Sequence, residues 1–273
     1  MSFKTVLAPL SGDGGDAVAL RAALAVAQRS GGRVEAVALM ADPRDTVAIA
    51  GREAAAVAME LLHDAEAELE RRRKAAAQHV QEALRAGIPT ERLAFREAVG
   101  QPERELVKAA RFADLVVLGR AGDPTPTGIL LAEAALLDGG RPVLLMPPVG
   151  DLPERPRIAV AWDGSTTSNR AVDAALPLLA SASTVHLLVA DGGMGADAAQ
   201  MVRHLADRGV RAEAVVFEPR DRVGPELLAR AAELDSDLLV MGGYGHSRLR
   251  EMVLGGVTRH VLQHADLPVL LAH

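Results

Sequence analysis

The chain contains no cysteine. That excludes disulfides, thiol nucleophiles and thiolate metal sites. Aromatic residues make up only 2% of the 273 residues, against 49% apolar residues overall, so the core must be built from alanine, valine and leucine. No apolar run reaches the ~18 residues of a membrane span. The first residues, MSFKTVLAPL, lack the long apolar segment of a signal peptide. A soluble, cytoplasmic protein with no membrane partner is predicted. Positive charge is not in excess either: the net charge is −6, which implies no basic face and argues against nucleic acid as a partner. A P-loop lysine motif is absent as well.

What is present is an internal repeat. The chain is long enough for two domains of ordinary size. Residues 5–10 and 157–162 are equivalent first strands. Each leads through a glycine turn into an alanine-rich helix, over 16–30 and 168–179, and then into a second strand, over 34–39 and 185–189. Residues 113–119 match 236–242, and 141–145 match 267–271. Between the halves, residues 147–156 carry four prolines, which sustain neither helix nor central strand. They are read as a linker, with domains at 1–148 and 149–273. Strands alternate with helices inside each half. This pattern gives an α/β fold with a parallel sheet, helices on both faces and right-handed crossovers. Five strands are expected per half.

The densest motif lies in the second half, from Leu238 to His273. A short apolar run, Leu238 to Met241, reads as a buried strand. Gly242, Gly243 and Gly245 follow, then Gly255, Gly256 and a helical segment opening at Val257-Thr258-Arg259. Helix N-termini carry unpaired amides and the positive end of the helix dipole, so glycine followed by such an end suits an anion. The bland alternative is a set of tight strand-to-helix turns. Gly242, two residues, Gly245, nine residues and Gly255 form G-x2-G-x9-G, and here the chain resembles a tandem universal stress protein. In that family Ser or Thr follows the last glycine; this chain has Gly256, which keeps an amide but loses a hydroxyl. The resemblance implies the Rossmann-like strand order 3-2-1-4-5 in each domain. It also implies ATP or ADP as ligand, with Mg2+ as its accompanying cation.

The halves are unequal. Pro142 follows Gly119 by 23 residues, whereas Pro268 follows Gly242 by 26. Gly119 and Gly122 survive in the first half, but Ala132 stands where the third glycine would be, and Pro124 and Pro126 remove amide donors. Asp163, at the end of the second half's first strand, is matched by Ser11. One competent nucleotide site is therefore expected, in the second domain. The first half also carries an insert over 42–87. Its apolar spacing predicts a long amphipathic helix with a bend or break, because one unbroken helix from Arg52 would span ~50 Å. Arg71 to Lys74 follow Glu66, Glu68 and Glu70, which predicts pairing along a solvated face.

On the resemblance, Asp163 would hold the nucleoside and Val189 would line the adenine slot. Met241 and Gly242 would follow the nucleotide at the fourth strand end, and Gly245 would let the loop approach the phosphates. Gly255, Gly256, Val257 and Thr258 would supply amides, and Thr258 a hydroxyl, to the phosphate tail. Asp163 also suits a turn-capping role before Gly164-Ser165. Trp162 fits either the border of the base or the core. His246, Ser247, Arg248 and Arg250 lie in the phosphate loop, where an arginine could reach phosphate. His260 and His264 have ligand spacing but no third partner. The resemblance implies a stress-response binding or signalling module. A slow ATPase or phosphotransferase and a nucleotide-free scaffold are the alternatives. The last strands of the two domains are expected to pair antiparallel, through 142–146 and 268–272, as an intramolecular pseudo-dimer. Whole chains could pair further as homodimers through other surfaces.

Overall fold

A computed structural model of the chain describes residues 2–44, 55–120, 126–191, 195–218, 222–244 and 256–273. Strands and helices alternate in both halves. In the first half these are β1 (Thr5–Leu10), α1 (Asp16–Ser30), β2 (Arg33–Ala41), α2 (Ala55–Arg85), β3 (Leu93–Gly100), α3 (Pro102–Ala110), β4 (Leu115–Gly119), α4 (Pro126–Glu133) and β5 (Val143–Met146). In the second they are β6 (Arg157–Ala161), α5 (Thr166–Leu179), β7 (Thr184–Ala190), α6 (Gly195–Ala206), β8 (Ala212–Phe217), α7 (Val223–Glu233), β9 (Leu238–Gly242), α8 (Val257–His264) and β10 (Val269–Ala272). Helix α4 runs on into a π turn over Ala134–Asp138. The linker residues 147–156 hold neither helix nor strand.

The strands form one ten-stranded sheet in the order β3-β2-β1-β4-β5-β10-β9-β6-β7-β8. Each half keeps the order expected from the resemblance, 3-2-1-4-5. Neighbours within a half are parallel; β5 and β10 meet antiparallel at the centre, with Leu144 opposite Leu270. The central strands are apolar along their whole length because both of their faces are covered. Period-two alternation splits their side chains between two cores. One lies under α1, α2, α5 and α6 and contains Val6, Val26, Val80, Val160 and Leu205. The other lies under α3, α4, α7 and α8 and contains Leu7, Leu106, Leu136, Leu227 and Val261. Each core runs across both halves, so the two repeats share their interior.

The insert differs from expectation. Residues 45–54 lie outside the described residues, but Ala55–Arg85 is a single helix with no break. Its 31 residues correspond to roughly 46 Å at 1.5 Å per residue. No glycine or proline interrupts it before Gly87, whose φ of 94° follows the helix end. Its exposed face is laced as predicted: Arg72 pairs with Glu68 at 2.5 Å and Lys74 with Glu70 at 3.5 Å, while Arg71 also meets Glu68. Its other face buries Ala76 and Val80.

Candidate nucleotide-binding site

A cavity of about 320 Å³ opens at the carboxyl ends of β6, β7 and β9. Strand β6 lies between β7 and β9, and the chain leaves it to one side and returns on the other. Such switch points leave a crevice beyond the strand ends. Local sequence builds the crevice wall by wall. After β6, Gly164 turns the chain with φ 74°. Ser165 then starts α5, its hydroxyl accepting from the Ser168 amide at 3.2 Å. Asp163 accepts from the Ser165 amide at 3.0 Å, so its turn-capping role is real. Its carboxylate still lines the cavity. Burial raises the acid's proton affinity, but hydrogen bonds from the Ser165 side chain and amide and from Ser168 outweigh it. The carboxyl is held below the usual range and is ionised at neutral pH.

The end of β9 comes against the start of α5. A Cβ on Gly242 would lie 2.7 Å from the Ser168 nitrogen and 2.8 Å from the Thr167 hydroxyl oxygen. Glycine is required there by packing alone. Gly119 is equally confined in the first half, where a Cβ would meet the Gly15 carbonyl oxygen at 2.0 Å. Opposite this contact, Gly256, Val257 and Thr258 close the cavity with the first turn of α8. Gly256 is the N-cap, with φ −68° and ψ 179°, and no side chain caps the helix. The buried Thr258 hydroxyl accepts from the Tyr244 amide at 3.3 Å.

Of the residues expected at the site, Asp163, Met241, Gly242, Gly256, Val257 and Thr258 line this one cavity. Gly245 and Gly255 lie outside the described residues, as do His246, Ser247, Arg248 and Arg250. Val189 is placed differently. Its side chain belongs to the opposite core, and its neighbours Leu188 and Ala190 line the cavity instead. Strand alternation makes this unavoidable once β7 is in register. Trp162 is buried in the core, donates its indole N–H to Asn169 at 2.9 Å and also lines the cavity. Phe217, Val223 and Leu227 complete an apolar wall that the sequence reading missed. Thr167 and Ser168 were missed too, although the run Ser165-Thr166-Thr167-Ser168 is a legible helix start. His260 and His264 stack at 4.2 Å, and His264 Nδ1 lies 2.9 Å from the His260 carbonyl oxygen.

The matching place in the first half is smaller, about 190 Å³, and chemically different. Ser11 stands at the position of Asp163, but acids return at Asp13 and Asp16. Asp16, only 3% exposed, accepts from the Ser11 and Gly12 amides at 3.0 and 2.8 Å. Burial, with Asp13 beside it, pushes its pKa up to about 6 despite those bonds. Arg72 of α2 forms part of the same cavity. The insert helix thus closes over a site that carries two carboxylates where the second half carries hydroxyls.

The chain matches the model of the universal stress protein family twice, over residues 2–135 and 154–273. A universal stress protein from Synechocystis is 53% identical over 34 residues, 12% of this chain and 12% of that relative. The alignment therefore spans only about an eighth of that relative. A universal stress protein structure from Archaeoglobus fulgidus superposes with a TM-score of 0.73 at 17% identity, covering 100% of this chain and 99% of the other. A functionally unknown protein from Pseudomonas aeruginosa gives 0.60 at 15% identity, over 99% and 92% of the chains. No helix among the described residues is long and apolar enough to cross a membrane. Two matched segments covering most of the sequence, each folded as a 3-2-1-4-5 sheet, make this chain a tandem member of the universal stress protein family.

Proposed function

We propose that the domain formed by residues 149–273 binds one ATP or ADP, and that the domain formed by 1–148 binds none. The observation that carries this reading is the convergence on one cavity of an ionised carboxylate, an apolar slot and an uncapped helix start. Adenine suits the slot between Trp162, Leu188, Ala190 and Phe217. A carboxylate has acceptor capacity beyond the turn bonds, so Asp163 can also accept from ribose hydroxyls. The amides of Gly256, Val257 and Thr258 face the phosphate tail, where the helix dipole favours negative charge. Mg2+ would enter with the nucleotide, coordinated chiefly by its phosphates. Asp163 is the one carboxylate lining the cavity among the described residues, and it is engaged in the turn. Binding and signalling therefore fit better than hydrolysis, which needs a positioned water and charge neutralisation.

Mass spectrometry of the denatured, freshly purified protein should reveal co-purified ATP or ADP, and added ATP should raise the melting temperature. A protein that carries no nucleotide and is not stabilised by ATP would leave the scaffold reading standing. Steady release of phosphate from added ATP would favour the enzyme.

A further inference from the structure

The repeats are related by an approximate twofold at the β5–β10 junction, and the contacts across it are unequal. Gly119 and Gly242 match, so Arg120 matches Gly243. Their amides behave alike: Arg120 donates to the Met146 carbonyl at 3.0 Å and Gly243 to that of Ala272 at 2.8 Å. Their side chains do not. The Arg120 guanidinium crosses to the second half and donates to the carbonyls of Leu262 at 3.4 Å, Gln263 at 3.5 Å and Ala265. These belong to the last turn of α8 and its C-cap, which has no glycine to close it. Last-turn carbonyls have no partner inside their own helix, and a cation there complements the dipole. On the other side, Gly243 leaves room for Leu136, whose Cδ2 would come within 2.6 Å of any Cβ at that position.

A second tie reaches the other end of α8. Glu133, at the end of α4, accepts from the Tyr244 hydroxyl at 2.5 Å. Tyr244 holds φ at 55°, a conformation that costs a non-glycine residue about 1 kcal/mol or more. Its amide donates to Thr258, in the first turn of α8. The first half therefore holds α8 at both ends, through Arg120 at its C-terminus and through Glu133, Tyr244 and Thr258 at its N-terminus. That N-terminus lines the cavity.

We propose that Arg120 and Glu133 of the first half are positioning residues for the phosphate end of the second half's nucleotide site. The half that lacks the long glycine spacing thus holds, at both ends, the helix whose start lines its neighbour's cavity. This rests on the nucleotide reading above. The adenosine end of the cavity is built on β6, β7 and β8, which neither tie contacts.

The test separates the two ends of the ligand. Calorimetric titration of the full chain with ATP and, separately, with adenosine should show ATP binding weakened roughly tenfold in Arg120→Met. Adenosine binding should stay unchanged. Arg120→Lys should recover part of the loss, and Tyr244→Phe should mimic Glu133→Ala. Equal losses for both ligands, or no loss for either, would overturn the proposal. Hydrogen exchange of ligand-free protein gives an independent readout. Amides of 257–262 should exchange faster in Arg120→Met than in wild type, and unchanged rates would sink the positioning role. Wild-type protein that binds neither ATP nor adenosine would defeat the nucleotide reading, while the exchange rates would still decide whether Arg120 holds α8.

Discussion

Two single residues carry opposite lessons. Gly256 departs from its family's hydroxyl residue, yet its φ of −68° and ψ of 179° are ordinary for any side chain. Gly256→Ser should therefore fold normally and bind ATP as well as or better than wild type. One hydrogen bond to a charged group adds at most roughly 1.5–3 kcal/mol. Weaker binding by calorimetry would mean that the serine caps α8 itself and competes with phosphate for the same amides. Asp16 is buried beside Asp13, with His79 near enough to oppose the shift. Its folded pKa of about 6 lies above the ordinary carboxyl value of 3.8, so the native state holds the proton more tightly. Stability from this group is present below about pH 4 and is lost as pH rises through about 6. Across that window wild type should lose on the order of 2 kcal/mol relative to Asp16→Asn, read from urea midpoints at each pH. A constant difference would show that Asp16 titrates normally. Asp163 was legible because it ends a recognisable strand beside a glycine turn. The burial of Asp16 was not, because it depends on α2, which arrives from far along the chain.

Among the elements, the long insert helix shows how far pattern reading reaches. Its amphipathic spacing and its ion pairs could be read directly. Its continuity could not, since the expected break was inferred from length and nothing in the residues demands one. Where α2 docks was equally hidden. It passes so close to the turn after β1 that a Cβ on Gly12 would sit 2.5 Å from the Arg72 Cα, with φ at 75°. Both the left-handed backbone and the backbone clash oppose a side chain there. Gly12→Ala should cost about 2 kcal/mol or more in a denaturant titration. A loss under about 0.5 kcal/mol, the usual range for an innocuous surface change, would show that α2 sits away from this turn in solution. The apolar wall of Phe217, Val223 and Leu227 escaped notice for a related reason. Each is an unremarkable residue at the end of an ordinary element, and only the sheet order brings them opposite Trp162. The strand end fixes the place of Val189 along the strand. It does not fix a face, and a shift of one residue reverses the side.

At the scale of the whole molecule, repeat structure and sheet order followed from sequence alternation and the family resemblance, while the inequality of the halves emerged only in part. Spacing marked the first loop as shortened. Buried Asp16, half-buried Asp13 and the covering helix add a physical obstacle, since phosphate would meet carboxylates there. Titration of the full chain with ATP should therefore saturate at one nucleotide per chain, and two equivalent sites would refute this. The outer edges are β3 and β8, which expose Val99 at 46% and Val216 at 54% but also carry Arg96, Glu97 and Glu213. Charges on an edge discourage further strand addition. The inner seam is where the two repeats depend on each other. β5 and β10 are buried on both faces and bonded along Val143 to Leu145, so the proline-rich connection does not hold the sheet together. It is tied to α1 through Arg29 to the Leu152 carbonyl at 2.8 Å and Arg21 to Asp151 at 3.2 Å, and Leu152 itself is buried in the core. Its contribution is to keep each repeat at high effective concentration near the other. A protease site placed at Val149-Gly150, once cut, should yield two fragments that still co-elute and lose their association only on dilution. The same sheet could thus be encoded as two separate polypeptides, each an obligate partner of the other.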